Sequence, residues 1–157
     1  MDQEIKAFLD GMASLRGSIR QSLTGVDPQG LNWNPLPGDA NSLYAIVSHL
    51  CAGEANTIHR RIGGRPVGGG TPYEAFAAQG DDPQKLLGRM DEVGSTTRSL
   101  LEGFTARDLD RVIDSGDPRS SRTAREMMNG VLRHTALHLG HIEITKQFYA
   151  TGIVAAR

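Results

Sequence analysis

The chain has 157 residues, a formal net charge of −1 and a hydrophobic fraction of 38%. This length fits a single domain, so we expect one domain over residues 1–157. The near-neutral charge, with no basic patch, argues against nucleic acid as a partner. No apolar run approaches the ~18 residues that span a bilayer, so we expect no membrane partner either.

The cellular compartment is suggested by the cysteine content and by the first residues. Cys51 is the single cysteine, which fits a reducing compartment. The opening residues Met1-Asp2-Gln3-Glu4 lack the basic start and apolar core of a signal peptide. We therefore expect the protein to be cytoplasmic.

Four long segments repeat their apolar residues every three or four positions, as amphipathic helices do. These predicted helices cover residues 2–24, 41–63, 83–103 and 123–150. Asn41 or Ser42 can cap the second, Asp82-Pro83 starts the third, and Thr123 with Glu126 forms a capping box at the fourth. Four such helices predict an all-α four-helix bundle.

The segments between these helices contain helix-breaking residues. We predict a long loop over residues 25–41, one short helical turn from Thr71 to Ala78, a short extended piece near residues 111–114, and a turn at Asp117-Pro118.

Two histidines on the fourth predicted helix, His134 and His138, are four residues apart. On a helix this spacing puts the two side chains on one face, with Cβ atoms ~5–6 Å apart, so both rings can point at one ion. His49 lies on the apolar second helix between Val47 and Leu50, where a buried imidazole needs a polar partner or a metal. Three histidine ligands leave at least one coordination position open, as in reactive rather than structural zinc sites.

The spacing leaves other interpretations of the histidines open. A pair four residues apart also occurs by chance, and an inward histidine is commonly a hydrogen-bonded core residue. His141 follows His138 by three residues and competes for the same face. His59 is interpreted as a solvated surface residue near the end of the second helix. Cys51 points about 200° away from His49 on that helix, so we predict a small core residue rather than a ligand.

Three short motifs, in order along nearly the whole chain, resemble the DinB-like metalloproteins. The motifs are Leu31-Asn32-Trp33-Asn34-Pro35, the stretch from Asn41 through Val47-Ser48-His49-Leu50 to Glu54, and His134-Thr135-Ala136-Leu137-His138-Leu139-Gly140-His141-Ile142. The family includes thiol-dependent transferases and isomerases. One departure is His141, where the family more often has glutamine, and a fourth ligand at this position would close the site.

The resemblance implies a fold, a ligand set and an assembly. The fold is an antiparallel four-helix bundle with a long crossover connection. The metal triad falls on His49, His134 and His138, with zinc or nickel as the bound divalent ion. Relatives commonly form homodimers, so a homodimer is expected here.

The leading functional hypothesis is a metal-dependent transferase or isomerase that uses a low-molecular-weight thiol on a small-molecule substrate. Mycothiol, bacillithiol and glutathione are equally compatible with the sequence. One alternative is metal-dependent hydrolysis, with Glu54 or Glu143 as base or as partner of a ligand. Another alternative is a stress-related metal-binding protein without turnover. Arginines near predicted helix ends are candidates for binding anionic groups, although most such residues are simply solvated: Arg60, Arg61, Arg65, Arg119 and Arg122.

Overall fold

The computed structural model describes residues 1–36, 38, 40–68, 70–116 and 120–152. Its helices are α1 (Gln3–Leu23), α2 (Pro28–Asn32), α3 (Leu43–Glu54), α4 (Pro83–Leu101), α5 (Ala106–Leu109) and α6 (Ala124–Thr151). A π-helical segment, Ala55–Ile62, continues α3, and a 3-10 turn covers Glu74–Ala77. Two short strands, β1 (Val112–Ile113) and β2 (Arg122–Thr123), pair antiparallel, with Val112 opposite Thr123.

The long helices begin at residues whose side chains satisfy free backbone amides. Ser42 accepts a hydrogen bond from the amide of Ala45, and Asp82 accepts from the amides that follow Pro83. Thr123 and Glu126 form the reciprocal capping box that starts α6. The predicted boundaries of the four long helices are therefore confirmed to within two residues at each end, counting the π-helical segment with α3.

The four long helices form a bundle in which α1 and α6 run in one direction and α3 and α4 run in the opposite one. Both α1 and α3 pack against α4 and against α6. The connection between α1 and α3 contains the short helix α2. The long crossover is the connection from the π-helical segment to α4, because α3 and α4 begin beside the same apolar cluster and therefore run in the same direction. The all-α fold expected from the sequence is confirmed.

The core consists of two apolar clusters separated along the bundle. One cluster joins the first half of α1, from Ile5 to Met12, to the π-helical segment and the start of α6. The other joins the second half of α1 to α3, the start of α4 and Ile142. On α6, His134 and His138 lie between Val131 of the first cluster and Ile142 of the second.

Two details differ from the predictions. The segment 25–41 is not all loop, because Asp27 accepts a hydrogen bond from the amide of Gly30 and starts α2 at Pro28. The second predicted helix is α-helical only as far as Glu54 and continues as a π-helix after it. The predicted turn at Asp117-Pro118 lies outside the described residues. None of the described helices combines the length and apolarity needed to cross a membrane.

Candidate metal centre

The histidines predicted as ligands lie together between α3 and α6. His49 comes from α3, and His134 and His138 come from consecutive turns of α6. One ring nitrogen from each residue lies within 4.8 Å of the others, and all three side chains are half-buried. The ring centroids of His134 and His138 are 4.5 Å apart with planes nearly perpendicular. The arrangement can hold one metal ion.

The ring of His49 is fixed from outside the bundle by the segment that contains the 3-10 turn. Its Nδ1 lies 2.7 Å from the carbonyl oxygen of Pro72, which can only accept, so Nδ1 carries the proton. The ring also stacks on Phe76 at a centroid distance of 3.9 Å and an interplanar angle of 15°. With the proton on Nδ1, the Nε2 lone pair is available to a metal, as in many histidine sites where a carbonyl holds the second nitrogen.

The facing nitrogens of His49 and His134 are already close to ligand spacing. Their Nε2 atoms are 3.1 Å apart. Two ligands at ~2.0–2.1 Å from a tetrahedral zinc ion are separated by ~3.3 Å. Because Nε2 of His49 carries no proton, His134 donates the hydrogen bond between them when no ion is bound. Replacement of that proton by a metal requires little movement of either ring.

The environment keeps the two histidines of α6 uncharged near neutral pH. Burial lowers the pKa of His134, and the neighbouring His49 lowers it further. Burial also lowers the pKa of His138 to about 4, with smaller contributions from His134, His49 and His141. Metal binding requires neutral imidazoles, so these shifts favour it.

His141 adjoins the cluster but lies outside it. Its side chain is exposed, and its Nδ1 is 3.2 Å from Nδ1 of His138. This contact matches the one that Pro72 makes with His49, because each partner engages the Nδ1 of a clustered histidine. The geometry suits a residue that orients His138.

Two cavities of different character flank the three histidines. The first, called here the arginine-lined cavity, has a volume of about 640 Å³ and is lined by His49 and His134 together with Arg61, Arg122 and Arg133. The second, called here the apolar cavity, has a volume of about 440 Å³ and is bordered by His138 and His141. Of the arginines singled out in the sequence, Arg60 and Arg65 are exposed elsewhere, and Arg119 lies outside the described residues.

Glu54, a candidate base, is instead part of a buried polar network. Its carboxylate pairs with the guanidinium of Arg16 and accepts a hydrogen bond of 2.5 Å from the hydroxyl of Thr97. The same hydroxyl accepts from Nε2 of His59 at 2.9 Å. Glu143, the other candidate, is exposed on α6.

The prediction that His59 is a solvated surface residue is wrong. Only 7% of the residue is exposed, and its Nε2 lies 2.9 Å from the hydroxyl oxygen of Thr97 on α4. Burial lowers the pKa of His59, although nearby Glu54 acts in the opposite direction. Cys51 is buried as predicted, and burial raises the pKa of its thiol to about 12, which makes it a packing residue rather than a nucleophile.

The sequence did not point to Pro72 and Phe76 as neighbours of the site. The short helical turn near them was expected, and the structure has one at Glu74–Ala77. A backbone carbonyl and a stacked ring carry no spacing signal, so only the folded chain brings them to His49.

The fold and the clustered histidines define a class: an all-helical bundle with a potential three-histidine metal centre. The chain belongs to the DinB superfamily, whose sequence model matches residues 13–142. A search of curated proteins finds no match.

Solved structures share the fold across nearly their whole length. A conserved protein from Enterococcus faecalis has a TM-score of 0.78 at 14% identity, covering 98% of this chain and 99% of that one. A DinB-like protein from Bacillus cereus has a TM-score of 0.73 at 16% identity, covering 97% and 96%. A DinB-like protein from Bacillus subtilis has a TM-score of 0.68 at 16% identity, covering 96% of each chain. At these identities the likeness concerns the fold alone.

Proposed function

We propose that His49, His134 and His138 together bind one divalent ion, zinc or nickel, in a single-domain cytoplasmic enzyme. The proposed activity is transfer to or from a low-molecular-weight thiol. The observation that carries the proposal is the convergence of three ring nitrogens within 4.8 Å, with one ring held in its metal-binding tautomer by Pro72. The donor set fits the ion, because neutral imidazole nitrogens suit zinc and nickel.

The ion, when bound, supplies a positive charge that favours the thiolate form of a thiol. The protein's own residues orient the histidine ligands. Phe76 and Pro72 orient His49, and His141 orients His138. Three protein ligands leave a position for the thiol sulfur.

The arginine-lined cavity fits the proposed thiol cofactor. Arg61, Arg122 and Arg133 border it beside His49 and His134, and they can pair with carboxylates or phosphates. Two carboxylates also line it, but Glu54 pairs with Arg16 and Glu126 accepts the capping hydrogen bond from Thr123. Mycothiol, bacillithiol and glutathione remain candidates, since the arginines can pair with the carboxylates of glutathione and bacillithiol and can donate hydrogen bonds to the hydroxyl groups of mycothiol. The thiol would enter from this side and place its sulfur beside the three histidines.

The first experiment is elemental analysis of protein purified without a metal-affinity step. We expect close to one zinc or nickel per chain. The second is a transfer assay with each of the three thiols and chlorodinitrobenzene as the electrophile, comparing the metal-loaded wild type with His134→Ala. Thiol-dependent turnover that requires His134 supports the proposal. Full metal content without turnover, or ester hydrolysis without a thiol, would reject the transferase.

A further inference from the structure

The apolar cavity beside His138 is built from the connection between α1 and α3 and from one face of α6. Its walls include Leu36 of the connection, and Ile144 and Phe148 of α6. His138 and His141 form the wall nearest the metal centre. A volume of about 440 Å³ lies within the range of small-molecule sites, ~300–1,000 Å³.

Large apolar side chains remain in contact with water in this cavity. Leu36 is 44% exposed and Ile144 is 43% exposed, although both line a concave surface. Isolated exposed apolar residues are ordinary. Here they converge on one hollow, so a ligand that displaces the water gains from the burial of apolar area on both sides.

The absence of charged side chains from the described lining of the apolar cavity favours an uncharged ligand. Among the described residues that line the apolar cavity, none is Arg, Lys, Asp or Glu. The arginine-lined cavity, by contrast, carries three guanidinium groups and the carboxylates of Glu54 and Glu126. The two cavities are bordered by different histidines of the same cluster. His49 and His134 line the arginine-lined cavity, and His138 lines the apolar cavity.

We infer that the apolar cavity binds an uncharged, apolar small molecule, such as a compound with one or two aromatic rings, against His138. In terms of the proposed function, on which this assignment rests, that molecule is the substrate that reacts with the thiol. The two reactants thus approach the centre from separate cavities, the polar thiol beside the arginines and the apolar substrate beside Ile144 and Phe148. A reaction between two molecules needs such separate positions, whereas hydrolysis needs only one organic reactant.

The test uses N-phenylnaphthylamine, an uncharged probe whose fluorescence rises in apolar surroundings. It is titrated into the metal-free wild type and into Phe148→Ala and Ile144→Gln. We expect each variant to raise the Kd roughly tenfold, because each removes apolar contact area. Ile144 is partly exposed, so Ile144→Gln remains informative if Phe148→Ala folds poorly.

The matched control is Leu137→Gln. Leu137 is a 60% exposed apolar residue on the same helix, and it does not line the cavity. Its Kd should match that of the wild type. An unchanged Kd in both cavity variants, or an equal loss in Leu137→Gln, would overturn the inference. Light scattering during the titration must also show no change in mass, because dissociation caused by the probe would mean that a second copy of the chain occupies the cavity.

A second measurement locates the probe. Ring-current shifts of the carbon-bound imidazole protons are followed by NMR in the metal-free protein. His138 should shift, whereas His59, buried against Thr97, should not. Binding that leaves His138 unshifted would place the probe elsewhere and reject the assignment. Because no metal or thiol is present, this result stands apart from the metal-content and transfer assays that test the proposed function.

Discussion

The Nδ1–H of His49 donates a hydrogen bond of 2.7 Å to the carbonyl oxygen of Pro72. This bond joins the half-buried His49 of α3 to a surface segment, residues 70–80, in which no side chain is fully buried. Phe76 of the same segment stacks against the face of the His49 imidazole. The segment therefore acts as the outer support of the candidate metal centre, although none of its residues belongs to the cluster.

Removal of the stacked ring should weaken metal binding without removing a ligand. In Phe76→Ala, the His49 ring loses the surface that fixes its orientation, and we expect zinc affinity to fall about tenfold, as for partners that orient ligands. Competition with a chromophoric chelator measures this change. The control is Tyr73→Ala, since Tyr73 lies in the same segment and is 83% exposed. Equal affinities for the wild type and Phe76→Ala would show that the stacking has no role in binding.

Replacement of each clustered histidine should release the ion. His49→Ala, His134→Ala and His138→Ala each leave two neutral nitrogens, which compete poorly with water for a divalent ion. We expect metal content, measured by elemental analysis after dialysis, to fall from about one per chain to a small fraction.

His141→Ala and His59→Gln are the controls for this series. His141→Ala should keep one ion per chain with lower affinity, because we propose that it orients His138. His59→Gln should keep both stoichiometry and affinity per folded molecule. Complete loss in His141→Ala would identify it as a fourth ligand, and retention in all three clustered variants would refute the site.

The sequence contained the information for the long helices and the histidine cluster because both depend on local spacing. Apolar periodicity places the buried faces, and capping residues such as Ser42 and Asp82 mark the starts. The step from His134 to His138 is one helical turn, so their proximity follows from the helix itself. The place of His49 opposite them needed the packing of α3 on α6, which the family resemblance supplied.

The surroundings of the cluster depend on contacts that no local pattern encodes. Phe76 reaches His49 from a separate turn, and Glu54 finds Arg16 and Thr97 on two other helices. His59 was interpreted as exposed because it lies near the end of its helix. It follows Ala55 by four residues and precedes Ile62 by three, so helical spacing itself places it on their buried face.

Loss of the Glu54 carboxylate should destabilise the fold strongly. Glu54 is 6% exposed and the Arg16 side chain is 14% exposed, so Glu54→Gln leaves a mostly buried guanidinium without its counter-charge. Breaking such a pair costs roughly 3 kcal/mol. Urea unfolding followed by circular dichroism measures the difference in free energy of unfolding. Asp10→Asn breaks the exposed pair with Lys6 and should cost less than ~1 kcal/mol. Equal effects of the two variants would contradict the buried-pair argument.

A homodimer is the oligomeric state that we propose. Two-fold dimers are the commonest assemblies of soluble homo-oligomers, and the family resemblance also implies a homodimer. Light scattering over a wide concentration range should give twice the chain mass. A monomer mass at every concentration would rule out the dimer.

The stability of the metal-free protein should fall as the pH is lowered below the pKa of an unperturbed histidine. Burial holds the pKa of His138 at about 4, against about 6.5 in the unfolded chain. Between these values the unfolded state binds more protons than the folded state, so the free energy of unfolding decreases with falling pH across the window from 6.5 to about 4. The contribution of His138 to this pH dependence is measured by urea unfolding in the presence of a chelator at several pH values. The wild type is compared with His138→Gln. The variant lacks the titrating group, so its stability should depend less steeply on pH in that window. The difference isolates His138 from carboxylates that titrate in the same range. Identical slopes for the two proteins would show that His138 titrates alike in the folded and unfolded states.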